Sequence, residues 1–198
     1  MRTKRRIALS GPPCGGKSTC LKALSEEFGD LVVCVPEIAS FVIGQAELLP
    51  SDDHERRNIY IRTMQQMRIA LEDMADSMDR GEVVIVDRGV TDGAAYLEGG
   101  MGEFEGVMDM DRKSIHDRYD LALLFDLPTR DAYEENRRNN PARFEDYDAA
   151  SVLRDRTVEA WLGHPDMFCI HSLESWEEKL SVASDIIERY LALWGIRP

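Results

Sequence analysis

The sequence predicts an α/β protein: a five-stranded parallel sheet with helices on both faces, in one unit spanning residues 1–198. Three observations predict it. Short apolar runs alternate along the chain with longer runs of helical spacing, the order that builds parallel sheets through crossover helices. The apolar runs are continuous rather than alternating, as in strands covered on both faces. With 198 residues, 43% of them hydrophobic, the chain is long enough to bury a sizeable core.

Residues 5–10 read as the first strand, and 17–28 as a helix with Leu21, Leu24 and Phe28 on one face. "LVVCVP", 31–36, is a β-branched run ended by proline and reads as the second strand. A long helix is expected over 54–79, where Met64, Met67, Leu71, Met74 and Met78 fall three and four apart as a core-facing stripe. "EVVIVD", 82–87, is the third strand. Residues 99–110, glycine-rich and acidic, read as a solvated loop. "DLALLFDLP", 120–128, is the fourth strand. A polar, arginine-rich helix and loop follow over 129–148, then a helix to about 162. "MFCIHS", 167–172, is the fifth strand, and the last helix covers 175–194, with Ser175 and Glu178 placed as a capping box. Trp161, Trp176 and Trp194 read as packing residues.

The formal net charge of −13 argues against a broad nucleic-acid or anionic-membrane surface. No run of about 18 apolar residues is present to span a membrane. The basic start is followed by only a short apolar run, too short for a signal peptide. Cys14, Cys20, Cys34 and Cys169 form no CxxC pair and no zinc spacing, with Cys20 and Cys34 in apolar settings. They read as thiols of a cytoplasmic protein. His54, His116, His164 and His171 are scattered without ligand spacing, so surface or capping roles are expected.

The most specific pattern is "GPPCGGKS", Gly11–Ser18, between the first strand and first helix. It matches G-x-x-x-x-G-K-[ST], the Walker A phosphate loop. Its glycines let backbone N–H groups turn inward around phosphate oxygens, and the helix N-terminus adds partial positive charge. Gly11, Pro12, Pro13, Cys14, Gly15, Gly16, Lys17, Ser18 and Thr19 are the expected nucleotide-binding residues. Lys17 is placed to reach the β- and γ-phosphates, and Ser18 to ligate Mg²⁺.

Three further signals follow in order. Asp87 ends the third strand, where ligands of parallel sheets sit, and reads either as a second Mg²⁺ ligand or as the cap of a following helix. Arg88 beside it is placed to hold an acceptor or a moving phosphoryl group. Glu37 follows the second strand after Pro36; it reads either as the group that orients or deprotonates an acceptor hydroxyl, or as an ordinary helix-start glutamate. Residues 133–148 carry Arg137, Arg138 and Arg143 in an otherwise acidic chain. They read either as a lid that closes over phosphates and excludes water, or as a solvated helix laced with Glu134, Glu135 and Glu145.

In this order GPPCGGKS, "VPEIAS", "VIVDRGVTDGAAYL" and "ARFEDYDAASVLRDRTVEAWLGHP" make the chain resemble the P-loop nucleoside and nucleotide kinases. It resembles most the small ATP/GTP-binding AAA-type domains related to nicotinamide-riboside kinases, with a weaker likeness to deoxynucleoside kinases and thymidylate kinase. The resemblance implies a P-loop NTPase fold with an arginine lid, ATP and Mg²⁺ as cofactors, and a small-molecule acceptor. It implies a catalytic carboxylate at Glu37, an arginine near the acceptor at Arg88, lid arginines at Arg137 and Arg143, and a base-reading glutamine near Gln65. No [NT]KxD motif follows a strand, so ATP is expected, with GTP left open. The competing reading is a nucleotide-dependent switch or slow NTPase that acts through a partner protein. Replacing Lys17 by Ala is expected to weaken nucleotide binding sharply; unchanged affinity in a titration would sink the phosphate-loop assignment.

Overall fold

The five strands lie parallel in the order β2-β3-β1-β4-β5. They are β1 (Arg5–Ser10), β2 (Val32–Val35), β3 (Val83–Asp87), β4 (Leu121–Phe125) and β5 (Met167–Ile170). The computed structural model describes residues 3–48, 50–138, 145–171 and 175–196. The helices are α1 (Lys17–Phe28), α2 (Ile38–Gly44), α3 (His54–Asp76) and α4 (Gly100–Met108). After them come α5 (Arg112–His116), α6 (Arg130–Arg137), α7 (Tyr147–Trp161) and α8 (Trp176–Leu193).

Side chains of a strand alternate between faces, and here both faces are covered. Ile7, Leu9, Ile85, Leu121, Leu123 and Phe125 pack with Leu21 and Leu24 of α1 and Ile187 and Leu191 of α8. Ala8, Val84, Val86, Ala122 and Leu124 pack on the other face with α3, α4, α7 and the 3₁₀ segment Val90–Tyr96. That double burial is why the central strands read as unbroken apolar runs. β5 is an edge strand, and its Phe168 and Cys169 are exposed. Among the described residues no helix is long and apolar enough to cross a membrane.

Several expectations need correction. The segment taken for a glycine-rich loop over 99–110 is mostly α4. Met101, Phe104 and Met108 recur at helical spacing and are buried, whereas Gly102 and Gly106 have open space where a side chain would stand. Burial of one apolar face outweighed the helix cost of glycine. The methionine stripe of α3 is not its inward face. Met67, Met74 and Met78 are exposed, and the buried positions are Ile61, Met64, Gln65, Arg68, Glu72, Ala75 and Asp76. His116 and His164 are buried rather than superficial, stacked on and edging Trp161. Cys20 is buried as expected, but Cys34 is only half-buried. The helices α2 and α5 were not anticipated; both are short, and Asp111 caps the latter.

The carboxylates on the polar face of α3 are buried because each finds partners. Glu72 accepts from Arg118 (2.7 Å) and Arg6 (3.3 Å) through one oxygen, and from the Tyr119 hydroxyl (2.6 Å) through the other. The Tyr119 oxygen accepts in turn from the Val90 N–H at 2.6 Å. Asp76 accepts from the backbone N–H groups of Thr3 and Lys4, both at 2.9 Å. These bonds tie α3 to the start of β1 and to the segment after β3. Replacing Glu72 by Gln removes the buried carboxylate that Arg6 and Arg118 share and leaves them the more exposed Asp73 carboxylate, at 2.8 and 3.2 Å. A loss of about 3 kcal/mol is expected, read as a fall in Tm of roughly 6–12 °C by calorimetry. A fall under about 2 °C would show that the network carries little stability.

Candidate functional site

β1 delivers the chain to the phosphate loop at the carboxyl edge of the sheet. Gly11 has φ +128°, and a Cβ there would stand 2.3 Å from the Phe125 carbonyl oxygen, so the loop lies directly over the end of β4 and only glycine fits. Cys14 is left-handed, with φ +58°. Gly16, φ +96°, is the N-cap of α1.

The start of α1 differs from that of the longer helices in its capping. The helices α3, α5, α6, α7 and α8 each have an N-cap side chain that accepts from a first-turn N–H, supplied by Asp53, Asp111, Thr129, Asp146 and Ser175. α1 has none. Its first intrahelical bond runs from Cys20 N to Gly16 O at 2.9 Å. The N–H groups of Lys17, Ser18 and Thr19, at the first three positions of the helix, therefore have no partner one turn back and present their dipole to the loop.

Lys17 is 5% exposed, and its ammonium donates to the Pro12 carbonyl at 2.6 Å. Burial draws its pKa down to about 8; the Arg88 charge adds to the fall, and Asp87 and Glu37 oppose it. Ser18 Oγ donates to Asp87 Oδ2 at 2.5 Å, while Asp87 Oδ1 is buried without a hydrogen-bond partner. Burial raises the Asp87 carboxyl, partly offset by Lys17. A hydroxyl and a carboxylate with an unused oxygen form a hard donor set, suited to Mg²⁺, which takes few protein ligands and keeps water and phosphate oxygens. Among the described residues no cluster of three or more His, Cys, Asp or Glu is arranged for a metal.

Arg88 joins this loop to the opposite wall. Its Nε donates to Glu37 Oε1 at 2.7 Å and its Nη1 to the Gly11 carbonyl at 2.8 Å, with Asp92 Oδ2 3.5 Å away. Its backbone is left-handed, φ +72°, a conformation that costs a non-glycine residue roughly 1–2 kcal/mol. Arg68 of α3, 4% exposed, offsets that strain by donating to the carbonyls of Arg88, Asp87 (3.3 Å) and Gly89 (3.4 Å). Glu37 stands at the N-cap position of α2 but does not cap it with its side chain; its carboxylate turns instead to Arg88 and to Ser40 Oγ at 3.0 Å. Burial alone would raise this carboxyl. The charges of Arg88 and Lys17, with hydrogen bonds from Arg88 and Ser40, outweigh burial and hold it at about 2.

A cavity of about 560 Å³ connects these groups; Lys17, Ser18, Thr19, Glu37 and Arg88 line it. That volume suits a small ligand. The structure thus brings together Lys17, Ser18, Glu37, Asp87 and Arg88. Pro13, Cys14 and Gly16 also face the cavity, whereas Gly11, Pro12 and Gly15 shape the loop behind it. Arg137 is not in the lining: it pairs with Glu134 (3.3 Å) and reaches the Glu145 carbonyl (3.5 Å). Arg143 lies outside the described residues. Among the described residues of 133–148, Glu145 lines the cavity, and burial raises its carboxyl.

Sequence reasoning missed Asp92, Arg68, Tyr60 and Tyr96, all of which line the cavity. Asp92 is 2% exposed; one oxygen accepts from the Trp161 indole N–H at 2.8 Å, and the other has no hydrogen-bond partner. Trp161 is therefore more than a packing residue. The four-residue spacing from Arg88 to Asp92 was a usable signal. Gln65 also lines the cavity, and its amide oxygen is buried without a partner.

A family model described as an AAA domain matches residues 6–179. The chain belongs to this AAA-domain family. No curated protein matches it. Among solved structures it is similar to thymidylate kinase from Candida albicans, at 14% identity and a TM-score of 0.66, covering 95% of this chain and 92% of that one. It is also similar to thymidylate kinase from Ehrlichia chaffeensis, at 16% identity and a TM-score of 0.61, covering 93% and 98%. The AAA-domain protein therefore has the P-loop kinase fold.

The lowered pKa of Lys17 makes anion binding pH-dependent. A phosphate beside the ammonium favours its charged form, so above pH 8 binding must take up a proton. Nucleotide affinity is expected to be level below pH 7 and to fall up to about tenfold per unit as pH rises beyond about 8. Titration of the wild-type protein and a Lys17→Met variant from pH 6 to 10 checks this; an equal slope in both would refute the assignment to Lys17.

Proposed function

We propose that this AAA-domain protein is a Mg²⁺-dependent, ATP-using phosphotransferase acting on a small hydroxyl-bearing acceptor, a nucleoside or nucleoside-like metabolite. The observation that carries the proposal is the Arg88 bridge. One guanidinium touches the Gly11 carbonyl of the phosphate loop and the Glu37 carboxylate across the same cavity. A donor half and an acceptor half are thereby set at contact range, as phosphoryl transfer requires.

The nucleotide would supply the transferable γ-phosphoryl group, and Mg²⁺ would neutralise its oxygens. Ser18 and Asp87 would hold the metal, and Lys17 with the first-turn N–H groups of α1 would hold the phosphates. Glu37 accepts the acceptor hydroxyl's hydrogen bond and orients its oxygen. As that oxygen bonds to phosphorus and the bond to the β-phosphate oxygen breaks, the proton passes to Glu37 and then to water. A carboxylate held at about 2 is a weak base, so its chief contribution is orientation, with proton transfer late, when the bonded oxygen has become acidic. Arg88 offsets the charge on the moving group.

The pairing of Arg88 also speaks to the acceptor. Its Nε and Nη1 are already engaged by Glu37 and Gly11, and Asp92 stands close by. A phosphate group on the acceptor would meet those carboxylates. An unphosphorylated hydroxyl compound fits better, and Asp92 Oδ2 and the Gln65 amide oxygen, which accept no hydrogen bond, favour one that carries further hydrogen-bond donors.

The second reading, a nucleotide-dependent switch or slow NTPase, is favoured by one observation: Arg137 faces Glu134 and Glu145 instead of the cavity. Two measurements separate the readings. A thermal-shift and turnover panel of nucleosides and their monophosphates is expected to yield an unphosphorylated acceptor that stimulates ATP consumption. Glu37→Gln is expected to lower that turnover by about 10²-fold or more while nucleotide affinity changes less than about threefold. Acceptor-independent hydrolysis across the whole panel would favour the switch.

A further inference from the structure

One buried cation behind the phosphate loop has no part in the chemistry above. Lys179, in α8, is 6% exposed. Its ammonium donates to the Asp126 carbonyl at 3.0 Å and to the Gly15 carbonyl at 3.4 Å. Among the described residues no carboxylate lies within ion-pair distance of it; the Asp126 side chain pairs instead with Arg154 at 2.9 Å. Burial lowers its pKa, the cost of holding a charge that backbone carbonyls solvate but no anion neutralises.

The Gly15 carbonyl matters because of peptide planarity. In a trans peptide the C=O and the following N–H point to opposite sides. Drawing Gly15 O back towards α8 sends the Gly16 N–H to the other side of the loop, and Gly16 lines the cavity. A second contact presses the same place. A Cβ on Gly16 would stand 2.5 Å from the ring of Trp176, at the first position of α8. The start of α8 is itself fixed by Ser175, which accepts from Glu178 N at 3.1 Å. The loop is thus backed by the Trp176 ring at Gly16 and an ammonium at Gly15.

We propose that Lys179 is a positioning residue for the nucleotide: it holds the loop with the Gly16 N–H turned inward and supplies positive charge to a bound triphosphate without touching it. This rests on the phosphate-loop reading. An effect local to the phosphate loop grows with the number of phosphates the ligand places there, whereas a general loosening of the fold weakens every ligand alike, and the two are separable by ligand.

The test is direct titration of ATP, ADP and adenosine, with Mg²⁺, into the wild-type protein and Lys179→Met. The variant is expected to lose about tenfold or more in ATP affinity, less in ADP affinity, and nothing measurable for adenosine. Lys179→Arg, which keeps the charge and the donors, is expected to recover most of the ATP affinity. Should Lys179→Met fail to fold, Lys179→Gln, which keeps a donor but no charge, is read against the same criteria. ATP affinity within twofold of wild type, or equal losses for ATP and adenosine, would overturn the inference while leaving the phosphate loop intact. A wild-type protein that binds no nucleotide would overturn both.

Discussion

The site depends on a buried guanidinium in a conformation that arginine seldom adopts. Arg88 follows β3 in the left-handed region, and its side chain turns back to reach the Gly11 carbonyl and the Glu37 carboxylate together. Without that turn the phosphate loop after β1 and the acidic residue after β2 would face the same space with nothing between them. The conformation is maintained by its surroundings. Arg68 holds the carbonyls on either side of it, and Arg88 N bonds to Leu9 O at 2.8 Å. Strain of this kind persists where neighbouring structure over-determines it, and it concentrates at functional sites.

That support reaches well behind the cavity. Arg68 and Glu72 lie one turn apart on the buried face of α3. Glu72 carries the strain-bearing segment through Tyr119, whose oxygen receives the Val90 N–H two residues after Arg88. Trp161 holds Asp92 two residues further on. Polar groups buried this deeply are costly unless each is paired, and here the pairings converge on the stretch 87–92. Placement of that stretch is what sets Asp87 against Ser18 of the phosphate loop and Arg88 against Glu37 across the cavity.

Much of the fold was legible in the sequence because its signals are local. All five strands and the helices α1, α3, α7 and α8 were found close to their observed bounds, since burial on both sheet faces writes itself as apolar runs. α4 was missed because its four apolar residues, set among three glycines, make a weak pattern until a core is there to receive them. The inward face of α3 was misread for a related reason. The methionines gave the stronger hydrophobic stripe, but tertiary partners, Arg6, Arg118 and Tyr119, made the polar stripe the one worth burying.

The sequence by itself determined the phosphate loop, its strand–loop–helix setting, and the edge of the sheet where Glu37, Asp87 and Arg88 would gather. Those follow from spacing within a few residues and from the rule that parallel strands present ligands at their carboxyl ends. Only the tertiary structure decided which side chains meet. It brought Ser18 to Asp87 across 69 positions and Arg88 to Glu37 across 51. It recruited Asp92 and Gln65 to the lining, turned Arg137 away from it, and placed Lys179 behind the loop from the far end of the chain. Contacts over such separations depend on the packing of whole elements, and no local pattern of residue types encodes them.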